Sequence, residues 1–462
     1  MAPAHPHRMS RPLPRKGPPT RYARHTDELR RLIALRQARP AHAGPCRRLT
    51  LSIVLLLLLP GWSGCNGDLR QALDDLSGKP KAGGSSSTAN PAALAIPAGS
   101  NLYCITNIGH TLVLYDPAAN QVRPDLQRYL DLDPVGPWFS GASGYYISRV
   151  DTSGRGANAL IEFDPKTALE TRRLGLGINT NPNALLALPG YPDIAWIAVR
   201  GSTFNFPYGP DGIAVANLRT MTGQIVPLTG VAGLPNAASL HSLVSFLWDD
   251  SCPARAASGG GACVYALVNG FDGVLRAGTL LVLAPDAAGN PVWLDSVALG
   301  LNPLEDMFLD AARRRLWIVN NGGYAPPPPD PAAPQGTLQV LDTTRFADGL
   351  AGNETLTTIS AGFAPTGVFG FDANTAWVTT YPDDRVQSVD LGTYALNASP
   401  GLPNLTGAML RLSGPAPRLF AGAGGFSAAR LVQLDPTDGH LLGTSALLAG
   451  NGPVSCAAFT TP

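Results

Sequence analysis

Glu305 and Asp306 stand side by side in "NPLEDMFLD", at the start of an apolar strand-like segment. Comparable positions in other segments hold Asn181, Asn183, Asn236, His241 and Asn404. Carboxylate and amide oxygens form a donor set suited to a hard divalent ion such as Ca²⁺. Neighbouring residues of a strand point to opposite faces, so only one of Glu305 and Asp306 can turn towards such an ion. Other chemistries lack their parts. There is no G-x-S-x-G nucleophile turn, no P-loop and no G-x-G-x-x-G opening a helix. The body of the chain holds three histidines, His110, His241 and His440, which fall in different parts of the repeat described below and do not assemble a three-histidine zinc site.

A second set of residues suits recognition. Phe204, Phe206 and Tyr208 lie in "GSTFNFPYGPDG", Phe271 in "GFDGVLRAG" and Tyr324 in "GGYAPPPPDPAAPQG". Aromatic rings on loops stiffened by proline make low-entropy binding anchors, and the run of prolines should form a polyproline-like wall.

These residues must be positioned by a repeat. An alternating apolar strand runs into Asp-Pro and a polar turn in "LVLYDPAANQV", again in "LIEFDPKTALETRRLGLG", and again in "LVQLDPTDGHLLG". A strand carrying an aromatic residue precedes each such unit, at Tyr103, Tyr146, Trp196, Tyr265, Trp317, Trp377 and Phe420. The following strand ends at Asp116, Asp164, Asn217, Ala284, Asp342, Asp390 and Asp435. With one strand before the aromatic strand and one after the turn, the unit has four short strands and occurs seven times. The spacing predicts an all-β, seven-bladed β-propeller over residues 101–462. The C-terminal "GPVSCAAFTTP" supplies only a first strand and the N-terminal "NLYCITN" starts at a second, so the last strand should close the ring on the first blade. The steps from aromatic to turn residue are 13, 18, 21, 19, 25, 13 and 15, so blades two to five carry enlarged loops on one face.

The segments "CITN", "IVNN" and "WVTT" give the chain a resemblance to the YVTN-type seven-bladed repeat family. That likeness implies the architecture and little about activity. The inward polar positions also resemble those of regucalcin-type lactonase propellers, which hold a divalent metal with Glu, Asn and Asp. The likeness makes Glu305, Asp306, Asn181 and His241 the channel candidates of that alternative, with Glu305 or Asp306 turned towards a metal, although the sequences surrounding that family's ligands are absent. The tryptophan docking motifs of quinoprotein dehydrogenase propellers are missing too.

Cysteine placement adds two expectations. Cys252 and Cys263 bracket a Gly/Ala-rich insertion, and Cys104 and Cys456 fall in the two strands that should meet at ring closure. Both pairs are expected as disulfides in a secreted body.

The N-terminal part reads as an address. Residues 1–48 hold 12 Lys+Arg and 2 Asp+Glu, whereas the rest carries 22 basic and 31 acidic residues, a balance that argues against a nucleic-acid partner. Arg47-Arg48, a short apolar run from Leu49 to Leu59, and Ser63-Gly64-Cys65 together resemble a bacterial lipoprotein signal, which implies lipidation of Cys65. Residues 1–64 are read as an N-terminal extension and signal peptide, and 65–100 as a Gly/Ser/Pro-rich tether. Asn66 after the cysteine suggests the outer membrane, facing the periplasm. The functional expectation is an envelope-anchored propeller that binds a protein or an envelope polymer through its enlarged loops and needs no cofactor, a reading that leans away from an enzyme. The alternative is a metal-dependent lactonase or hydrolase of the regucalcin-like type, with Ca²⁺ or another divalent ion.

Overall fold

Antiparallel strand pairing organises the chain into seven four-stranded sheets arranged as the blades of a propeller. The computed structural model describes residues 99–461 except 108, 118, 120, 132, 150–157, 178–179, 204–205, 208–210, 259, 272–273, 324–334, 351, 363, 381–384, 402–404, 413–417, 424–428, 444–447 and 449–453. Cys65, Phe204, Tyr208, Tyr324 and Asn404 therefore lie outside the described residues, as do the signal segment and most of the expected tether.

Blades 2 to 7 each use four strands in chain order, from an inner strand to an outer one. The inner strands begin at Pro134, Pro182, Leu243, Pro303, Pro365 and Leu405. Blade 1 takes its inner strand, Val454–Thr461, from the C-terminus and pairs it with Gly99–Thr106. Each inner strand touches the inner strands of both neighbours, which closes the ring. Cys104 and Cys456 are direct cross-strand partners and are joined by a disulfide, with Cα atoms 4.1 Å apart. Cys252–Cys263 is the second disulfide, across the insertion between the first two strands of blade 4.

Period-2 alternation decides where the core sits. In Ile194–Val199, Trp196 and Ala198 face blade 4, while Ala195, Ile197 and Val199 face blade 2. The same split in every blade produces seven apolar clusters, one at each blade–blade interface. The aromatic of the second strand always faces the next blade, and Trp196, Tyr265, Trp317, Trp377 and Phe420 are fully buried. Blade 2 corrects the sequence reading. There the equivalent residue is Tyr145, which packs towards blade 3, whereas Tyr146 faces back to blade 1.

The recurring Asp proves to be a turn former. Asp164 accepts from Lys166 N, Asp342 from Thr344 N, Asp390 from Gly392 N and Asp435 from Thr437 N. In blade 4 the third strand runs on to Pro285, and Asp286 does this work in place of Ala284. The asparagine that follows the second strand is a latch between blades. Asn107, Asn269 and Asn321 donate to the carbonyls of Pro134, Pro303 and Pro365, each the first residue of the next blade's inner strand.

Blades 2 and 3 share a further lock. The Glu162 carboxylate accepts from Ser143 Oγ (2.7 Å), Thr171 Oγ1 (3.0 Å) and the Arg172 guanidinium (2.5 and 2.9 Å). Arg172 in turn reaches the carbonyls of Leu218 and Arg219 in blade 3. These bonds hold Glu162 well below the usual carboxylate range, down to about 2, with the Arg172 hydrogen bonds as the main cause.

Candidate functional site

Second strands end, and inner strands begin, on one face of the ring. The residue entering the inner strand is left-handed in five blades: Asp133, Asn181, Ser242, Asn302 and Ala364. Asp and Asn tolerate this conformation because their short polar side chains bond locally. On this face two polar groups stand out, at the blade 2–3 and blade 3–4 junctions.

At the first junction Arg149 pairs with Asp133 (2.9 Å) and donates to Asn183 Oδ1 (2.7 Å), and Asn183 donates to Val244 O. Every partner here is spent inside the protein, so this group is structural.

The second junction differs. Asp211 immediately precedes the strand Gly212–Asn217. Its Oδ1 accepts from Gly201 N (3.0 Å) and Ser242 N (2.7 Å), and its Oδ2 lies 3.5 Å from His241 Nδ1. The Asp211 side chain is 10% exposed and that of His241 is 35% exposed. Burial pushes the Asp211 carboxyl up from its ordinary value, against the two amides and His241, which favour the charged form. Ser242 is fully buried and left-handed, donates Oγ to Phe271 O (2.9 Å) and accepts from Arg200 Nε (3.4 Å). One carboxylate thus fixes two backbone stretches, Arg200–Gly201 and His241–Ser242, and sets their side chains at a common corner. A buried carboxylate behind a part-exposed imidazole is the arrangement of an oriented general base.

The expected site residues fare unevenly. His241 belongs to this corner, and Asn181 sits beside it, its carbonyl accepting from Arg200 N. Asp306 lies elsewhere, with its carboxylate against Gly367 of blade 6. Only the backbone of Glu305 is described, in Pro303–Asp310. With the Glu305 side chain and Asn404 undescribed, the expected ligand set lies partly outside the described residues. Two groups of three donors do converge among them, and neither includes these positions. Asp249 with Cys252 and Cys263 is one, but both sulfurs are spent in the disulfide and Asp249 binds Arg314 and Tyr265. Asp435, Asp438 and His440 form the other, in a turn on the opposite face.

Of the expected aromatic anchors, Phe271 is 3% exposed and is a packed residue, not a surface ring. The backbone of Phe206 pairs in a two-residue hairpin, Ser202–Thr203 with Phe206–Pro207. Asp211 and Arg200 were missed at the sequence level. "GPDG" reads as a turn, and nothing in that tetrapeptide signals that its carboxylate is buried against a histidine 30 residues later.

No family model matches the sequence, and no curated protein matches it. Solved structures do share the architecture. A periplasmic gluconolactonase from Pseudomonas aeruginosa aligns at TM-score 0.55 with 16% identity, covering 79% of this chain and 99% of its own. A putative 6-phosphogluconolactonase from Bacteroides uniformis aligns at 0.51 with 14% identity, over 78% and 99%. Another from Bacteroides fragilis aligns at 0.53 with 11% identity, over 78% and 98%. At these identities the likeness carries the fold. It also corrects the main functional expectation. Three of these propellers are described as a gluconolactonase or putative 6-phosphogluconolactonases, and Phe271, the one expected anchor ring that is described, is buried, so the main expectation of a binding scaffold is corrected and the alternative is taken up below.

Proposed function

We propose that this chain is a lactonase, a hydrolase that opens a cyclic ester with water, acting at the Asp211–His241 corner. The observation that carries the reading is the pairing of a buried carboxylate with a part-exposed imidazole at the rim where the loops are enlarged. The lactonase descriptions of propellers with the same architecture support the choice of reaction class. Asp211 Oδ2 faces His241 Nδ1 at 3.5 Å and favours the tautomer with the proton on Nδ1, which leaves Nε2 as the base. Nε2 takes a proton from water as the water oxygen attacks the ring carbonyl. The ring C–O bond then breaks, and the released alkoxide recovers the proton from the imidazolium.

The test is hydrolysis of glucono-δ-lactone, followed by acid release and corrected for spontaneous opening. His241→Asn should lower kcat at least 100-fold, in line with loss of a general base. Asp211→Asn should lower it by a similar order. Wild-type activity no higher than the spontaneous rate, or full activity in both variants, would overturn the assignment.

We further propose that the enzyme works in the bacterial envelope, held through a lipid on Cys65 and facing the periplasm. The lipoprotein-like "SGC" segment supports this, as do two disulfides, which persist in oxidising compartments.

A further inference from the structure

Arg200 occupies in blade 3 the place that Arg149 holds in blade 2. Each directly follows a second strand, Ser143–Ser148 or Ile194–Val199. Each donates its backbone N–H to the residue that precedes the inner strand of its own blade, Arg149 to Asp133 O (3.3 Å) and Arg200 to Asn181 O (3.4 Å). In blade 2 the Asp133 carboxylate balances the guanidinium, at 2.9 Å. In blade 3 the equivalent Asn181 is neutral and supplies no such counter-charge. The carboxylate of that junction, Asp211, is turned instead to the amides of Gly201 and Ser242 and to His241.

Ser242 sets the direction of Arg200. Its Oγ accepts from Arg200 Nε (3.4 Å) and donates to Phe271 O (2.9 Å), so the hydroxyl is held from both sides. Its φ of 63° is left-handed, a conformation that glycine takes without cost and serine does not. A buried serine kept there against that strain points to work done by its hydroxyl. Ser242 also follows His241 directly, so the guanidinium and the imidazole are set from adjacent residues.

The consequence rests on the lactonase reading. As the water oxygen bonds to the ring carbonyl carbon, the carbonyl π electrons move onto its oxygen, and that negative oxygen needs a fixed donor. We propose that Arg200, aimed by Ser242 Oγ, is the group that holds it. When the ring C–O bond breaks, the carbonyl re-forms, Arg200 gives up the charge, and the leaving alkoxide takes the proton from His241. The same guanidinium then faces a carboxylate oxygen of the open acid, a charge-assisted contact that can be measured without turnover.

The experiment measures hydrolysis of glucono-δ-lactone and, separately, calorimetric binding of gluconate to the purified full chain. Arg200→Met should lower kcat about 100-fold, leave KM within about threefold, and weaken gluconate about tenfold. Arg200→Lys should restore about tenfold of the lost kcat, since it returns the charge without the planar fork. Ser242→Gly suits the left-handed backbone, so it should keep the fold while lowering kcat about tenfold. Arg219→Met removes an exposed arginine paired with Asp193 on the opposite face and should leave both readings unchanged. A wild type that opens no lactone, yet binds gluconate through Arg200, would end the lactonase reading and keep Arg200 as the anion-holding group of the corner. Turnover by Arg200→Met at the wild-type rate would overturn the proposal. So would gluconate bound no better by wild type than by Arg200→Met.

Discussion

Replacing Glu162 by Gln removes a charge while keeping the shape of a side chain that locks blade 2 to blade 3. Its fall from 4.5 to about 2 corresponds to ~3 kcal/mol of folding stability at neutral pH. The Glu162 side chain is 7% exposed but that of Arg172 is 43% exposed, so solvent screening brings the figure down to ~2 kcal/mol. For a propeller of this size that is about 3 °C in melting temperature. The folded-state value is depressed, so the stabilisation is complete above the ordinary value of 4.5 and disappears as pH falls towards 2. Melting temperatures of wild type and Glu162→Gln, measured by circular dichroism from pH 7 to pH 2.5, should therefore converge. A gap that stays constant over that range would refute the electrostatic argument and assign the effect to packing. No gap at pH 7 would mean that the Glu162–Arg172 pair contributes nothing net.

Ring closure makes a second prediction: removing residues 454–462 strips the inner strand from blade 1 and leaves Gly99–Thr106 with an open edge, so the truncated chain should aggregate. A soluble, monomeric product with an unchanged melting temperature would count against it. Cys104→Ser with Cys456→Ser should keep the fold but melt lower, because the disulfide fixes two ends 352 residues apart. Cys65→Ser should move the protein from the membrane fraction to the soluble periplasm. A variant that stays with the membrane, together with a wild type that takes up no fatty-acid probe, would sink the anchor proposal.

The blades were readable because each carries the same physical demand. A strand buried on both faces needs apolar residues throughout, and its tight turn needs an Asp or Asn, so the pattern repeats in the sequence. Where two adjacent residues satisfy that demand equally, as Tyr145 and Tyr146 do, composition cannot choose and only register decides. The candidate site was readable in one residue. His241 is conspicuous because histidine is scarce in the body of the chain. Asp211 is not, since Asp before Gly also makes turns, and its burial depends on Ser242 of the next blade coming to meet it. Glu305 and Asp306 were attractive for the opposite reason: they look like ligands in sequence, and the structure shows where only one of the two carboxylates lies, that of Asp306 against Gly367 of the neighbouring blade.

The first described strand, Gly99–Thr106, starts on the face opposite the Asp211–His241 corner. The 33 residues between Cys65 and Gly99 lie outside the described residues and lead into this strand. Under the proposed lipidation of Cys65, attachment would come through the start of this strand, on the face away from the proposed site, which would then open to the aqueous space. Its substrates would then arrive by diffusion through that space, so the rate should depend on how freely small solutes cross the envelope and little on which lipids surround the anchor.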